Sequence, residues 1–143
     1  MVTYIMDSIF DEIEDFPRRG ISSIKIFMAY NGSPLHVDDG TSSAFWRKAA
    51  RWVATVFVHA ENGEILNFLR SECVKKGQLT PHYHYVSRPP FTEAEAVRRA
   101  IYLAGQTDTP LYIAHMTCRE AIAELQKAKG LASEFLVRPV LII

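Results

Sequence analysis

The sequence predicts an α/β fold built on a parallel β-sheet that helices cover on both faces. Short apolar segments rich in β-branched and aromatic residues alternate with longer amphipathic segments. Helix-capping residues stand between several of these segments. Strands that are separated by helical segments are usually joined by crossovers, which favours parallel pairing. The 143 residues, 48% of them hydrophobic, are enough for one domain with a sizeable core.

The first half of the chain is predicted to contain two helices and two strands. Ser8 is a suitable N-cap for a helix that Pro17 shortens and Gly20 ends. Alternating or continuous apolar runs mark the strands, and apolar residues at helical spacing mark the second helix. The predicted elements are a helix between Ser8 and Gly20, a strand at 22–29, a helix at 41–53 and a strand at Thr55–His59.

The second half of the chain is predicted to contain three helices and two strands around a polar loop. Thr92 with Glu95, and Thr117 with Glu120, have the spacing of a capping box, in which each side chain bonds to the other residue's backbone. Pro139 interrupts the last apolar run. The predicted elements are a helix at 64–76, a loop at 77–90, a helix at 93–104, a strand at 111–115, a helix at 119–129 and a strand at 133–143.

The composition excludes several classes of function. Sixteen basic residues balance sixteen acidic ones, so no basic surface indicates a nucleic-acid or membrane partner. Two cysteines are too few for a disulfide framework, which favours a reducing compartment. No apolar run reaches the roughly 18–20 residues that span a bilayer, and the N-terminal residues lack the features of a secretory signal. We therefore expect a soluble, cytoplasmic protein.

Three predicted strands carry a titratable or metal-binding residue near the C-terminal end, namely Lys25, His59 and His115. Parallel neighbours bring these ends together, and α/β barrels build their active sites there. Two imidazoles on adjacent strand ends are natural zinc ligands. An ammonium group inside an apolar strand is costly, so Lys25 should be paired, deprotonated or modified.

Structural explanations compete with these functional ones. Each histidine could be an ordinary hydrogen-bonded residue, and Lys25 could extend to solvent from an edge strand. Glu61 and Asn62 could be catalytic, although capping the next helix is the simpler role. Cys118 precedes a predicted helix and could be an activated thiol. The His-x-His pair at 82–84 lies in a Pro-flanked loop and is not expected to bind metal.

Four blocks of the sequence resemble one known family. They are SIKIFMAYNG, TVFVHAENGEIL, YHYVSRPPFTEAEAVRRAI and TPLYIAHMTCREAI, and the similarity runs from about Asp7 to Gly130. In this order they resemble the hydantoinase/dihydropyrimidinase family of cyclic amidohydrolases. The resemblance implies a metal-centred (β/α)₈ TIM barrel, of which residues 1–143 would form part, with about strands four to seven and their helices.

The resemblance also implies roles for individual residues. Lys25 matches the lysine that is carbamylated and bridges two zinc ions, and His59 and His115 match histidines that bind these metals. Tyr30 matches the tyrosine that hydrogen-bonds the substrate carbonyl oxygen and the oxyanion formed from it. The implied activity is hydrolysis of the cyclic amide bond of hydantoins or dihydropyrimidines, in a protein that is a homo-oligomer (tetramer or dimer) when complete.

Some of the family's features are missing from this sequence. The upstream His-x-His pair and the downstream aspartate that complete the metal site are absent, so the chain is expected to be an internal fragment that holds zinc weakly and is inactive alone. Dihydroorotase and allantoinase activities depend on the same metal chemistry and are alternative interpretations of the function. Metal-free relatives that act in scaffolding or signalling are a third, although these have lost the ligands that Lys25, His59 and His115 match.

Overall fold

A four-stranded parallel sheet forms the centre of the computed structural model, which describes residues 9–51, 54–131 and 141–142. The strands are β1 (Ser23–Phe27), β2 (Thr55–His59), β3 (Leu111–Ile113) and β4 (Leu141–Ile142). They lie in the order β1-β2-β3-β4, and every adjacent pair is parallel. The prediction of an α/β fold with a parallel sheet is therefore confirmed.

Helices connect the strands, as parallel pairing requires. They are α1 (Ile9–Glu12), α2 (Asp39–Arg51), α3 (Gly63–Lys75), α4 (His82–Val86), α5 (Pro90–Thr107) and α6 (Arg119–Leu131), with two short 3₁₀ turns at Ile13–Asp15 and Pro17–Arg19. The turn before β1 ends at Gly20, whose φ of 72° is a conformation that glycine adopts at no steric cost. No helix in the described part of the chain is long and apolar enough to cross a membrane.

The buried core lies against one face of the sheet. Its strand residues occupy alternate positions and are Ile24, Ile26, Val56, Val58, Leu111 and Ile113. Helices α2, α5 and α6 cover them, with Phe45 and Trp46 as the largest buried side chains from the helices. Full burial of each such aliphatic side chain contributes about 1.5–3 kcal/mol, so this face fixes the register of the strands.

The opposite face of the sheet is only half-buried in the described residues. It carries Lys25 and Phe27 from β1, Phe57 from β2 and Tyr112 from β3. Phe57 stacks on Tyr112 with ring centroids 4.2 Å apart. The prediction that helices cover both faces is not confirmed for the described residues, because the side chains on this face stay half-buried.

The predicted capping boxes are also wrong. Helix α5 begins at Pro90, which is pre-organised for the first helical position, and the Thr92 hydroxyl therefore lies within the helix and bonds to Pro89 O at 2.8 Å. The Thr117 hydroxyl donates to the Glu93 carboxylate of the neighbouring helix instead of capping its own. The two errors have different causes: α5 begins earlier than its capping spacing predicts, so Thr92 bonds to a carbonyl three residues before it, whereas Thr117 finds a partner 24 residues away that only the fold supplies.

Smaller differences occur at the predicted boundaries. The loop predicted at 77–90 contains the helical turn α4, and the first helix is reduced to one turn followed by 3₁₀ turns around Pro17. The proposed Ser8 cap, Val53 at the end of the second helix, and most of the predicted strand at 133–143, with Pro139, lie outside the described residues.

Gly63, the first residue of α3, is needed for a close approach between chain segments. A Cβ at this position would lie 1.7 Å from Asn31 Oδ1 and 3.0 Å from Met28 O. We expect Gly63→Ala to lower the free energy of unfolding by about 1–3 kcal/mol, as overpacking does. Gly105→Ala in α5 is the control, because nothing lies within 4 Å of its added methyl group. Urea unfolding should show Gly105→Ala unchanged or more stable; equal stability for Gly63→Ala would contradict the packing argument.

Candidate functional site

Two histidines meet at the C-terminal edge of the sheet. His59 is the last residue of β2, and His115 follows β3 by two residues. His59 Nδ1 and His115 Nε2 are 2.9 Å apart, and the ring centroids are 4.6 Å apart. The structure thus brings together the two imidazoles that are 56 residues apart in the sequence, because β2 and β3 are parallel neighbours.

Two residues at this edge have an unusual backbone conformation. Tyr30 has a φ of 67° and His115 a φ of 41°, in the left-handed region that non-glycine residues rarely adopt. Such a residue costs on the order of 1–3 kcal/mol, and residues of this kind are concentrated at functional sites. The Tyr30 ring lies 5.2 Å from the His59 ring. One outlier is therefore a member of the imidazole pair, and the other borders it.

Lys25 lies on the same face of the sheet as His59 but deeper along the strand. It pairs with Phe57, whereas Phe27 pairs with His59. Its Nζ is 5.2 Å from the Phe27 ring centroid, and burial lowers the pKa of Lys25. Burial is also the main cause of the lowered pKa of His115, to which the charges of His59 and Lys25 contribute. These shifts favour the uncharged amine and imidazole.

A carboxylate and a guanidinium complete the site, and sequence reasoning missed this pairing. Glu61 Oε2 accepts hydrogen bonds from His59 Nε2 at 2.6 Å and from Arg88 Nη1 at 2.5 Å. Burial by itself raises the pKa of Glu61. The hydrogen bonds from His59 and Arg88 have the larger, opposite effect and lower this pKa to about 2. The His-x-Glu spacing was visible in the sequence, whereas Arg88, 27 residues beyond Glu61, carried no local signal.

These side chains border a cavity of about 220 Å³ at the sheet edge. Its polar lining residues are Tyr30, His59, Glu61, His84, Arg88, Glu93, His115 and Thr117. Glu93 accepts from the backbone N–H of Thr117 at 2.7 Å and so holds the segment that follows His115. The cavity therefore combines the imidazole pair and the His84 ring with other polar groups from several connections.

The remaining candidates from the sequence have other roles. The Asn62 side chain accepts a hydrogen bond from Ile65 N and caps α3, which confirms the simpler role predicted for this residue. Burial raises the pKa of Cys118, which does not fit an activated thiol. His82 and His84 lie in α4, where His84 reaches the rim of the cavity.

The two imidazoles supply part of a donor set for a zinc ion. Zinc prefers imidazole nitrogen, and two such nitrogens bound tetrahedrally are about 3.3 Å apart, near the 2.9 Å between His59 and His115. Among the described residues no group of three or more His, Cys, Asp or Glu could hold a metal.

Comparisons with known proteins place the chain among cyclic amidohydrolases. It is 46% identical over 124 residues to a D-hydantoinase from Rhizobium radiobacter, which covers 87% of this chain and 27% of that protein. An allantoinase from Salmonella paratyphi B is 31% identical over 125 residues, covering 83% of this chain and 28% of that protein. No family model matches the chain.

Comparison with solved structures also matches the chain to a member of this group of proteins. The crystal structure of a dihydropyrimidinase from Brevibacillus agri superposes with a TM-score of 0.87 and 35% identity, covering 99% of this chain and 30% of that chain. The chain thus spans between about a quarter and a third of the length of the relatives that it matches.

Proposed function

We propose, from the homology of this chain to a part of the hydantoinases and dihydropyrimidinases, that the protein hydrolyses the cyclic amide bond of hydantoins or dihydropyrimidines. The observation that carries the proposal is the convergence of His59 and His115 at 2.9 Å beside Tyr30, above Lys25 on the same sheet face. These are the four residues that the resemblance to this family assigns to the metal and the substrate. Hydrolysis adds one water, so that the carbonyl carbon gains a hydroxyl and the ring nitrogen gains a proton.

Zinc is the metal that we propose for the site. His59 Nδ1 and His115 Nε2 would hold it, together with a carbamylated Lys25 that bridges two ions. The group would supply a Lewis acid for the amide carbonyl and would acidify water. A carbamate at Lys25 would supply an anionic ligand for the metal, whereas an ammonium group would repel it.

The surroundings of Lys25 support its modification. Burial lowers the pKa of the amine and so increases the neutral fraction, which is the form that reacts with carbon dioxide. The amine nitrogen forms a bond to the carbon of carbon dioxide and releases one proton to solvent. The product is an anion that points away from the helix-covered core, because Lys25 lies on the opposite face from Ile24 and Ile26.

Tyr30 is the proposed donor to the substrate. It is 39% exposed and borders the cavity, so its phenol is accessible to a ligand there. A donor aimed at the carbonyl oxygen contributes most when negative charge develops on that oxygen. Its left-handed backbone directs the ring toward His59 and not along the strand.

The half-buried face of the sheet supports the proposal that these strands are about strands four to seven of a (β/α)₈ barrel. In such a barrel one face of every strand packs under helices, and the other fills the interior with side chains. The Phe57–Tyr112 stack and the neighbouring Phe27 are large enough to take part in an interior layer.

Ring-opening assays on the complete protein test the proposal. Hydantoin, dihydrouracil and allantoin should be offered in parallel, with products separated by chromatography and zinc measured by atomic emission. We expect hydrolysis of hydantoin or dihydrouracil that a chelator abolishes and zinc restores. A preference for allantoin would favour the allantoinase alternative, which the 31% identity to the Salmonella protein supports. Stoichiometric zinc with no hydrolysis of any cyclic amide would overturn the proposed function.

A further inference from the structure

A three-residue chain of hydrogen bonds lies behind the imidazole pair. Arg88 Nη1 and His59 Nε2 both donate to the same carboxylate oxygen, Glu61 Oε2. The side chains of His59, Glu61 and Arg88 are 11%, 14% and 24% exposed, so the chain is largely shielded from water. Neither Glu61 nor Arg88 holds a metal or a substrate in the proposed function.

We propose that Glu61, held in place by Arg88, is a positioning residue that fixes the tautomer of His59 and directs its Nδ1 toward His115. The inference rests on the proposed function only in naming zinc as the ligand of that nitrogen.

The contact with Glu61 decides which ring nitrogen of His59 carries a proton. An ionised carboxylate only accepts hydrogen bonds, so His59 Nε2 must carry the proton in the 2.6 Å contact with Glu61. In a neutral imidazole the other nitrogen, Nδ1, then has a free lone pair. That nitrogen is the one that lies 2.9 Å from His115 Nε2. The carboxylate thus leaves the lone pair on the side where a cation would bind.

The fold keeps the carboxylate in this position from two sides. Glu61 lies between β2 and the cap of α3, and the next residue's N–H, that of Asn62, donates to Thr92 O. Arg88 precedes the Pro89–Pro90 pair that begins α5, and its N–H donates to Tyr85 O in α4. The two ends of the ion pair therefore belong to backbone segments that are themselves hydrogen-bonded, so the carboxylate cannot turn away from His59 without breaking a contact.

A purely structural ion pair would have different consequences. Its contribution would depend on the charges of Glu61 and Arg88, and loss of the Glu61 charge would have one effect whatever side chain replaced it. A positioning role depends on an acceptor oxygen at the place of Oε2. Carboxylates that orient metal-binding histidines in this way typically change metal affinity by about 10–100-fold when they are removed.

Two substitutions separate these readings. Glu61→Gln keeps an acceptor oxygen for both donors but loses the charge, whereas Glu61→Leu loses both. In the metal-free protein, above the ordinary histidine pKa, long-range ¹H–¹⁵N spectra report which ring nitrogen carries the proton. We expect His59 to keep its proton on Nε2 in the wild type and in Glu61→Gln, and to populate the Nδ1-protonated form in Glu61→Leu. Zinc affinity, measured by competition with a chromogenic chelator, should fall about 10–100-fold in Glu61→Leu and less in Glu61→Gln.

Controls keep the outcome unambiguous. Glu64→Leu removes a carboxylate three residues away that bonds to Asn31, and it should change neither the tautomer nor the affinity. If Glu61→Leu does not fold because Arg88 is left unpaired, the double variant Glu61→Leu/Arg88→Leu is measured instead, since it also removes the unpaired charge. Equal tautomers in the wild type and the Leu variant, or equal effects of Gln and Leu on zinc affinity, would overturn the proposal. Failure of the wild type to bind zinc would count against the proposed cofactor, while the tautomer measurement would still decide the role of Glu61.

Discussion

Replacement of Lys25 by methionine is expected to remove the bound zinc and to reduce ring hydrolysis by the complete protein by about 10³-fold or more. Metal ions contribute several kcal/mol of transition-state stabilisation, and each 1.36 kcal/mol is a factor of ten in rate. Methionine keeps the unbranched shape of the side chain but cannot form a carbamate. In the metal-free protein the free energy of unfolding should be unchanged or higher, because burial disfavours the charged amine.

Two further variants identify the property of Lys25 that matters. Lys25→Arg retains a positive charge that does not titrate, so it cannot form a carbamate either. It should therefore be as inactive as Lys25→Met. Lys76→Met, at the exposed end of α3, is the matched control and should retain full activity and zinc. Activity close to that of the wild type in Lys25→Arg, with zinc bound, would show that Lys25 acts only through its charge.

Tyr30→Phe should lower kcat by about 10²–10³-fold, the usual cost of one lost donor to an oxyanion. The substitution keeps the aromatic ring next to His59 and removes only the hydroxyl. Tyrosine and phenylalanine carry the same strain at a φ of 67°, so the backbone contribution to the free energy of unfolding should not change. Steady-state kinetics and zinc analysis on the same preparation provide the measurement, and zinc content should remain at the wild-type level.

The competing explanation makes Tyr30 a packing residue between Phe27 and His59. Phenylalanine would then be an almost isosteric replacement, and kcat would stay within a factor of two or so. Tyr102→Phe, on the exposed side of α5, controls for the loss of a phenol elsewhere. Wild-type kcat with full zinc in Tyr30→Phe would remove Tyr30 from the site.

Elements with strong periodicity were predictable from the sequence. The strand at Thr55–His59 has the bounds that its β-branched and aromatic residues predicted, and the helix that follows begins one residue before its predicted start. These segments are decided by local preferences and by a buried stripe, both of which can be read along the chain. The resemblance of the quoted blocks to the hydantoinase/dihydropyrimidinase family is matched by the similarity of 124 residues of the chain to a D-hydantoinase.

Contacts between distant segments were not predictable in the same way. Thr117 has the spacing of a capping residue, yet its hydroxyl bonds to Glu93, 24 residues earlier in the chain. Helix α4 was predicted as loop because its short, aromatic-rich segment has no helical stripe. The Thr117 contact depends on which neighbour is within hydrogen-bond reach, and that is decided only when α5 packs beside the segment that follows His115.

The sequence by itself determined that the strands are parallel and that His59 and His115 stand near strand ends, because both follow from the order of apolar segments along the chain. Only the tertiary structure decided that Nδ1 of one ring faces Nε2 of the other, and that Arg88 reaches the Glu61 carboxylate behind them. The physical reason is range: strand and helix preferences act over a few residues, whereas the 2.5–2.9 Å contacts of the site join segments that lie 27 and 56 residues apart.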